Sequence, residues 1–248
     1  MKIFVFGCSF SSFHSGMCGF GKSWVHRLAK DNPEHHIYDA SLGGAGNDSI
    51  LHRLMLLEKN YGEPDKIIVQ LTNPNRISIL LDKKFWKEGI IFSTKDNLTY
   101  HDDHRHYISH IQGSFFVESV TQRKRRIKLA KHMDLPEDLL IKYFGAYLPH
   151  YDNVVKTQMA IDLLNRLYGK KNVLFFAWHN LPNYHSWKFV DIPSNYIGSV
   201  QDRFKEDNKF YSLGTDISPH YGSKGHKAVY KWLKEKIDHF IIDKSFTE

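Results

Sequence analysis

The chain has 248 residues, 42% of them hydrophobic and 14% aromatic, enough to bury a substantial core, so one α/β domain over 1–248 is expected rather than two. The net charge of +7 would draw anionic partners, but Lys and Arg are dispersed apart from Arg123-Lys124-Arg125-Arg126 and Lys128. No groove-reading motif or aromatic platform accompanies that patch, and no segment is long enough to span a bilayer, so neither nucleic acid nor membrane is an expected partner.

Lys2 to Gly7 (KIFVFG) is a short apolar run ending in small residues, as expected of a buried parallel strand entering a loop. Polar Gly7, Ser9, Ser11, Ser12 and His14 interrupt it, so it does not read as an export leader. The expected location is cytoplasmic; a phage or virion-associated chain would read the same way. Cys8 and Cys18 flank the loop, too few for a disulfide framework and consistent with a reducing compartment.

Trp24, Val25, Leu28 and Ala29 recur at helical spacing, and Ile37 to Leu42 reads as a second strand ending in Gly43-Gly44-Ala45-Gly46. Asn47 or Asp48 is the expected cap of a helix whose apolar face carries Ile50, Leu51, Leu54, Met55 and Leu57. Glu63-Pro64-Asp65 stops it before strand Lys66 to Leu71. From about 76 to 150 the pattern loosens into an insertion, with a hairpin around Asn97, a histidine-rich stretch, a basic helix and a helix near Glu137 to Tyr147. A helix from Asp152 to Tyr168, a strand from Asn172 to Trp178 and a last helix from Lys224 to Phe240 follow. This alternation predicts a three-layer α/β sandwich, flavodoxin-like, with a mostly parallel central sheet and a helical insertion. In such sheets ligands sit beyond the carboxyl ends of the strands.

Acyl transfer needs a nucleophile, a base, a group to orient the base, and donors for the oxyanion. Ser9 follows the first strand, where loop amides can face a carbonyl. Gly44 has no side chain to hold a ligand away from its backbone N–H. Asn73 offers a side-chain NH2, His220 is the candidate base, and Asp216 the candidate orienting group. Taken singly, each has a plainer reading: a loop serine, a turn glycine, a turn asparagine before Pro74, an Asx-turn aspartate, or one surface histidine among the chain's 16.

In that order these residues resemble the four marker blocks of the SGNH (GDSL-like) hydrolase family. Gly7-Cys8-Ser9-Phe10 is similar to the first block, with Cys8 where Asp is usual. Asp39-Ala40-Ser41-Leu42-Gly43-Gly44 is similar to the second, with Asp39 where Asn is common; Gly46-Asn47-Asp48-Ser49 fits the tail of that block about as well, leaving Gly46 as an alternative to Gly44. Thr72-Asn73 resembles the third, and His220 followed by Gly225-His226 the last. The resemblance implies a serine esterase for small acyl esters, among them carbohydrate O-acetyl groups. Ser9, Gly44 and Asn73 would form the oxyanion hole, and no metal or organic cofactor is implied. Asp216 precedes His220 by four residues where the family motif has three, so a dyad helped by a backbone carbonyl stands beside the triad. An acyltransferase and a non-catalytic carbohydrate-binding or virion-associated module are alternatives on the same fold. The aromatics Tyr100, Tyr107, Phe115 and Phe116 of the insertion would either stack on sugar or form its own core.

Two further patterns compete. Gly16-Met17-Cys18-Gly19-Phe20-Gly21-Lys22-Ser23 satisfies the phosphate-loop spacing, but Ser9 to Ser15 separate it from the strand and no later strand ends in the Asp that would hold magnesium. His101, Asp102, Asp103, His104, His106 and His110 contain zinc-type donors, and His106 and His110 would align on a helix, yet no convincing third ligand is placed. Trp178-His179-Asn180 ends a strand at the same edge as Ser9 and offers polar side chains to a substrate or a cap.

Overall fold

Apolar side chains alternate along the first strand between two destinations, and that alternation sets the layers. The structure, a computed structural model, describes residues 1–8, 10–11, 23–41, 45–72, 76–80, 92–93, 99–100, 108–112, 136, 150–178, 188–204, 214–215, 218–221 and 223–242. Strand β1 (Lys2–Phe6) sends Ile3 and Val5 into one buried cluster and Phe4 and Phe6 into another. The first cluster is closed by helix α1 (Trp24–Asp31), through Trp24, Val25 and Leu28, and by the last helix, α5 (Ser223–Ile242), through Val229, Leu233 and Ile237. The second is closed by α2 (Ile50–Tyr61) and α3 (His150–Tyr168), through Leu54, Leu57, Ile161 and Leu164. Gly62 ends α2 at φ 74°, a left-handed conformation that glycine adopts without steric strain.

Between these helical layers run β2 (His36–Asp39), β3 (Lys66–Leu71), β8 (Val173–Ala177) and β9 (Tyr196–Ser199), the last followed by a short helix, α4 (Val200–Phe204). The central sheet has the order β6-β5-β2-β1-β3-β8-β9, where β5 (Phe92–Ser93) and β6 (Thr99–Tyr100) form an antiparallel hairpin. The pairs β1–β2, β1–β3, β3–β8 and β8–β9 are all parallel, so the protein is a three-layer α/β sandwich with a mostly parallel sheet, as the alternation predicted. From β1 the chain crosses to β2 on one side, and from β3 to β8 on the other. The carboxyl ends of β1 and β3 therefore flank the point where the winding reverses, the place where such sheets open a crevice.

The described elements of the insertion are strands. The hairpin expected around Asn97 is present, and β5 pairs antiparallel with β2 (Tyr38↔Ser93, Asp39↔Phe92), so the insertion lengthens the central sheet. β4 (Arg76–Leu80) and β7 (Ile108–Gln112) make a separate antiparallel pair. The basic helix, the helix near 137–147 and the aromatics Tyr107, Phe115 and Phe116 lie outside the described residues; Tyr100 falls in β6. His110 lies in a strand, which corrects its expected place on a helix with His106; His106 and the rest of the histidine stretch are outside the described residues. The second strand ends at Asp39 rather than Leu42, because the Asp39 carboxylate accepts the Ser41 N–H at 2.9 Å and turns the chain. Among the described residues no helix is long and apolar enough to cross a membrane.

Two histidines on the helices link the fold to pH. Burial lowers the pKa of His26 on α1, and Lys30 and Arg27 lower it further; burial and Arg53 do the same to His52 on α2. The unfolded chain therefore takes up protons near the ordinary histidine value, about 6.5, while the folded chain resists until lower pH. Stability from these groups is complete above about 6.5 and is lost as the pH falls through the folded pKa values. The urea midpoint is expected to drop between about pH 7 and pH 5, and the drop to shrink in the double variant His26→Gln, His52→Gln. An unchanged slope in that variant would assign the acid sensitivity elsewhere.

Candidate active site

The end of β1 is held by a polar side chain in a strand that is otherwise apolar. Beyond the Phe6↔Val69 pair the strands bring Gln70 beside Gly7. A Cβ on Gly7 would lie 2.8 Å from Ser11 Cβ and 2.9 Å from Gln70 Oε1, so only glycine lets the chain fold back this closely. The Ser11 N–H donates to the Cys8 carbonyl at 2.9 Å, closing a four-residue turn. Gln70 Oε1 accepts from the Ser11 hydroxyl at 2.7 Å and from the Cys8 N–H at 3.3 Å, and its Nε2 lies 3.4 Å from Cys8 Sγ. Phe10 stacks on Trp178, at the end of β8, with ring centroids 4.0 Å apart.

The ends of β1 and β2 share a buried cation. Arg53, 4% exposed on α2, donates to the carbonyls of Gly7 (3.2 Å), Ser49 (3.3 Å) and Ala40. Burial lowers its pKa to about 10, opposed by the Asp48 and Asp39 carboxylates, so it stays charged at neutral pH. Asp39 is thus a buried carboxylate with a cation nearby. Asn47 joins the β2 loop to β3: its Oδ1 accepts the Thr72 N–H at 2.9 Å, and its Nδ2 donates to the Thr72 carbonyl at 2.8 Å and to Thr157 Oγ at 3.3 Å. This corrects the expectation that Asn47 or Asp48 caps the helix. Residues Asn47–Ser49 form a 3-10 turn begun by Gly46 with no side-chain cap, and the Asn47 amide serves the neighbouring loop instead.

A third link reaches the far end of the chain. Buried His226, in the first turns of α5, accepts the Trp24 N–H on Nδ1 at 3.3 Å, which puts its own proton on Nε2 in the neutral form. The Trp24 indole N–H in turn donates to Ser11 Oγ at 3.0 Å. One hydrogen-bond series, His226–Trp24–Ser11–Gln70, therefore ties the last helix to the loop after β1. Immediately before that helix, β11 (Ser218–Tyr221) pairs antiparallel with β10 (Gly214–Thr215).

Of the candidate residues, His220 lies in β11, with its side chain outside the described part of the structure; Ser9, Gly44, Asn73 and Asp216 lie outside the described residues. Their described neighbours are Cys8 and Phe10, Ser41 and Ala45, Thr72, and Thr215. Gly46 is buried, and its carbonyl accepts from the Ser49 N–H and hydroxyl. Of the phosphate-loop pattern, 16–22 are outside the described residues, and the Ser23 hydroxyl is taken up as the cap of α1, accepting the His26 N–H at 3.2 Å. His179 and Asn180 are outside as well. Gln70 and Arg53 are not among the residues the sequence singles out, and Ser11 and Trp24 stand out there only as a polar interruption and a helix-face residue, not as parts of the site. Gln70 and Arg53 carried a signal, since each is a polar residue among apolar neighbours on a strand or helix face.

The fold is thus of the open α/β class with its reversal point between β1 and β3. No protein-family model matches the chain, and neither does any curated protein. Among solved structures, the chain is similar to an acetyl xylan esterase from the rumen bacterium Butyrivibrio proteoclasticus, at 14% sequence identity and a TM-score of 0.32. The match covers 96% of this chain and 64% of that one, so this chain spans less than two thirds of its length. The architecture described above rests on the strand pairing itself.

Proposed function

We propose that the protein is a serine ester hydrolase of the SGNH type acting on small acyl esters, with carbohydrate O-acetyl groups as the substrate class. Ser9 Oγ bonds to the ester carbonyl carbon as its proton passes to His220. The amides of Ser9 and Gly44 and the side-chain NH2 of Asn73 stabilise the negative carbonyl oxygen. Collapse breaks the bond to the alcohol oxygen, which leaves with the proton from His220. Water, losing a proton to His220, then attacks the acyl-enzyme, and Ser9 takes that proton back as the acid departs. Asp216, or a backbone carbonyl in its stead, orients the imidazole. The mechanism calls for no metal or organic cofactor.

The supporting observation is how the described neighbours of the four blocks meet. Cys8, Ser41 and Thr72 follow three adjacent parallel strands at the reversal of the winding, and Arg53, Asn47 and Gln70 fasten those ends to one another. The His226–Trp24–Ser11 series joins the segment carrying the last block to the same edge.

Wild-type protein is expected to be labelled at Ser9 by a fluorophosphonate and to hydrolyse p-nitrophenyl acetate, and Ser9→Ala to do neither. A wild type that is neither labelled nor active defeats the enzyme reading in favour of a carbohydrate-binding module. Acetyl transfer to an added alcohol in preference to water would mark an acyltransferase.

A further inference from the structure

We infer that Gln70 is a positioning residue for the nucleophile, holding the turn that presents Ser9 through its hydrogen bonds to Ser11 and the Cys8 amide; the inference rests on the reading of Ser9 proposed above. Gln70 is almost fully buried at 1% exposure, in a strand whose other residues, apart from Lys66 at its start, are Ile, Val and Leu. A buried amide is costly unless its polar atoms are bonded, so its presence asks what it holds. Its Oε1 is the acceptor for two donors on either side of residue 9: the Cys8 N–H, one residue before, and the Ser11 hydroxyl, two residues after. The same hydroxyl receives the Trp24 indole N–H, so its own proton is directed to Gln70. The donor sequence Trp24 to Ser11 to Gln70 has one polarity throughout, which fixes the Gln70 amide with its oxygen toward the turn.

Replacing Gln70 by an apolar residue would leave the Ser11 hydroxyl and the Cys8 amide without their acceptor in a site closed to water. The turn would then relax about an anchor it no longer has. A displacement of about 1 Å at a reacting group lowers rate by as much as 100-fold, and the effect falls on attack rather than on ground-state binding.

The test compares wild type with Gln70→Leu, using p-nitrophenyl acetate turnover and the rate of phosphonylation of Ser9 by a fluorophosphonate. Expected is a fall in kcat of roughly 10- to 100-fold with KM within about twofold, and an equal fall in the phosphonylation rate. A purely structural role would lower Tm and leave both rates of the folded protein unchanged. If wild type is labelled and active while folded Gln70→Leu keeps kcat within about twofold, the positioning role is overturned and the esterase reading stands. If wild type is not labelled at Ser9, both fall together. Should Gln70→Leu fail to fold, Ser11→Ala withdraws only the bridging hydroxyl, and the same outcomes decide.

Discussion

Replacing His220 by alanine is expected to lower kcat for p-nitrophenyl acetate by about ten-thousand-fold or more, with little change in Tm. Removal of the base from a serine–histidine pair leaves only the oxyanion donors and substrate binding to accelerate the reaction, and losses of that order follow. Fluorophosphonate labelling should fall in parallel, since it draws on the same deprotonated Ser9. Asp216→Asn then separates the two orienting arrangements. In a triad, amide for carboxylate stabilises the wrong imidazole tautomer and the loss approaches about ten-thousand-fold. In a dyad the change stays below about tenfold. Thr215 pairs with Ser218, the two residues that flank 216 and 217 in the chain. Retention of more than about a tenth of the activity by His220→Ala would remove it as the base.

Arg53→Ala is expected to destabilise the fold by about 3–5 kcal/mol, the range for breaking a buried charged cluster by removing one partner. The substitution takes the guanidinium donors away from the Gly7, Ala40 and Ser49 carbonyls and leaves Asp39 without its cation. For a chain of this length that is a fall in Tm of roughly 10 °C, readable by calorimetry or by urea unfolding. Arg53→Lys should recover only part, because one ammonium cannot span carbonyls on three segments. A loss under about 1 kcal/mol for the alanine variant would mean that water replaces the guanidinium and that the strand ends do not depend on it.

The order of the layers was legible in the chain because burial on both faces makes parallel strands near-continuous apolar runs, and KIFVF, KIIVQL and VLFFA all stand out. Three features turn on partners distant in sequence. Asn47 has the composition of a helix cap, yet its amide bonds Thr72, 25 residues away, because β3 ends beside it. The hairpin around Asn97 is legible in the insertion, but its pairing with β2 is a contact that no local pattern encodes. Gln70 is visible as an odd residue in an apolar strand, although the turn it holds belongs to β1.

The sequence by itself determined the strands β1, β2, β3 and β8 with the helices between them, the α/β class and the four short blocks in order, since periodicity, small residues at strand ends and side-chain chemistry are local properties. Only the tertiary structure decided which strand ends lie together and what fastens them. The order β2-β1-β3 and the bonds Arg53–Ala40, Asn47–Thr72, Gln70–Ser11 and His226–Trp24 connect residues from 13 to 202 positions apart. Pairings of that kind follow from packing two helical layers on a twisted sheet, and a buried polar group takes whatever partner that packing brings within reach.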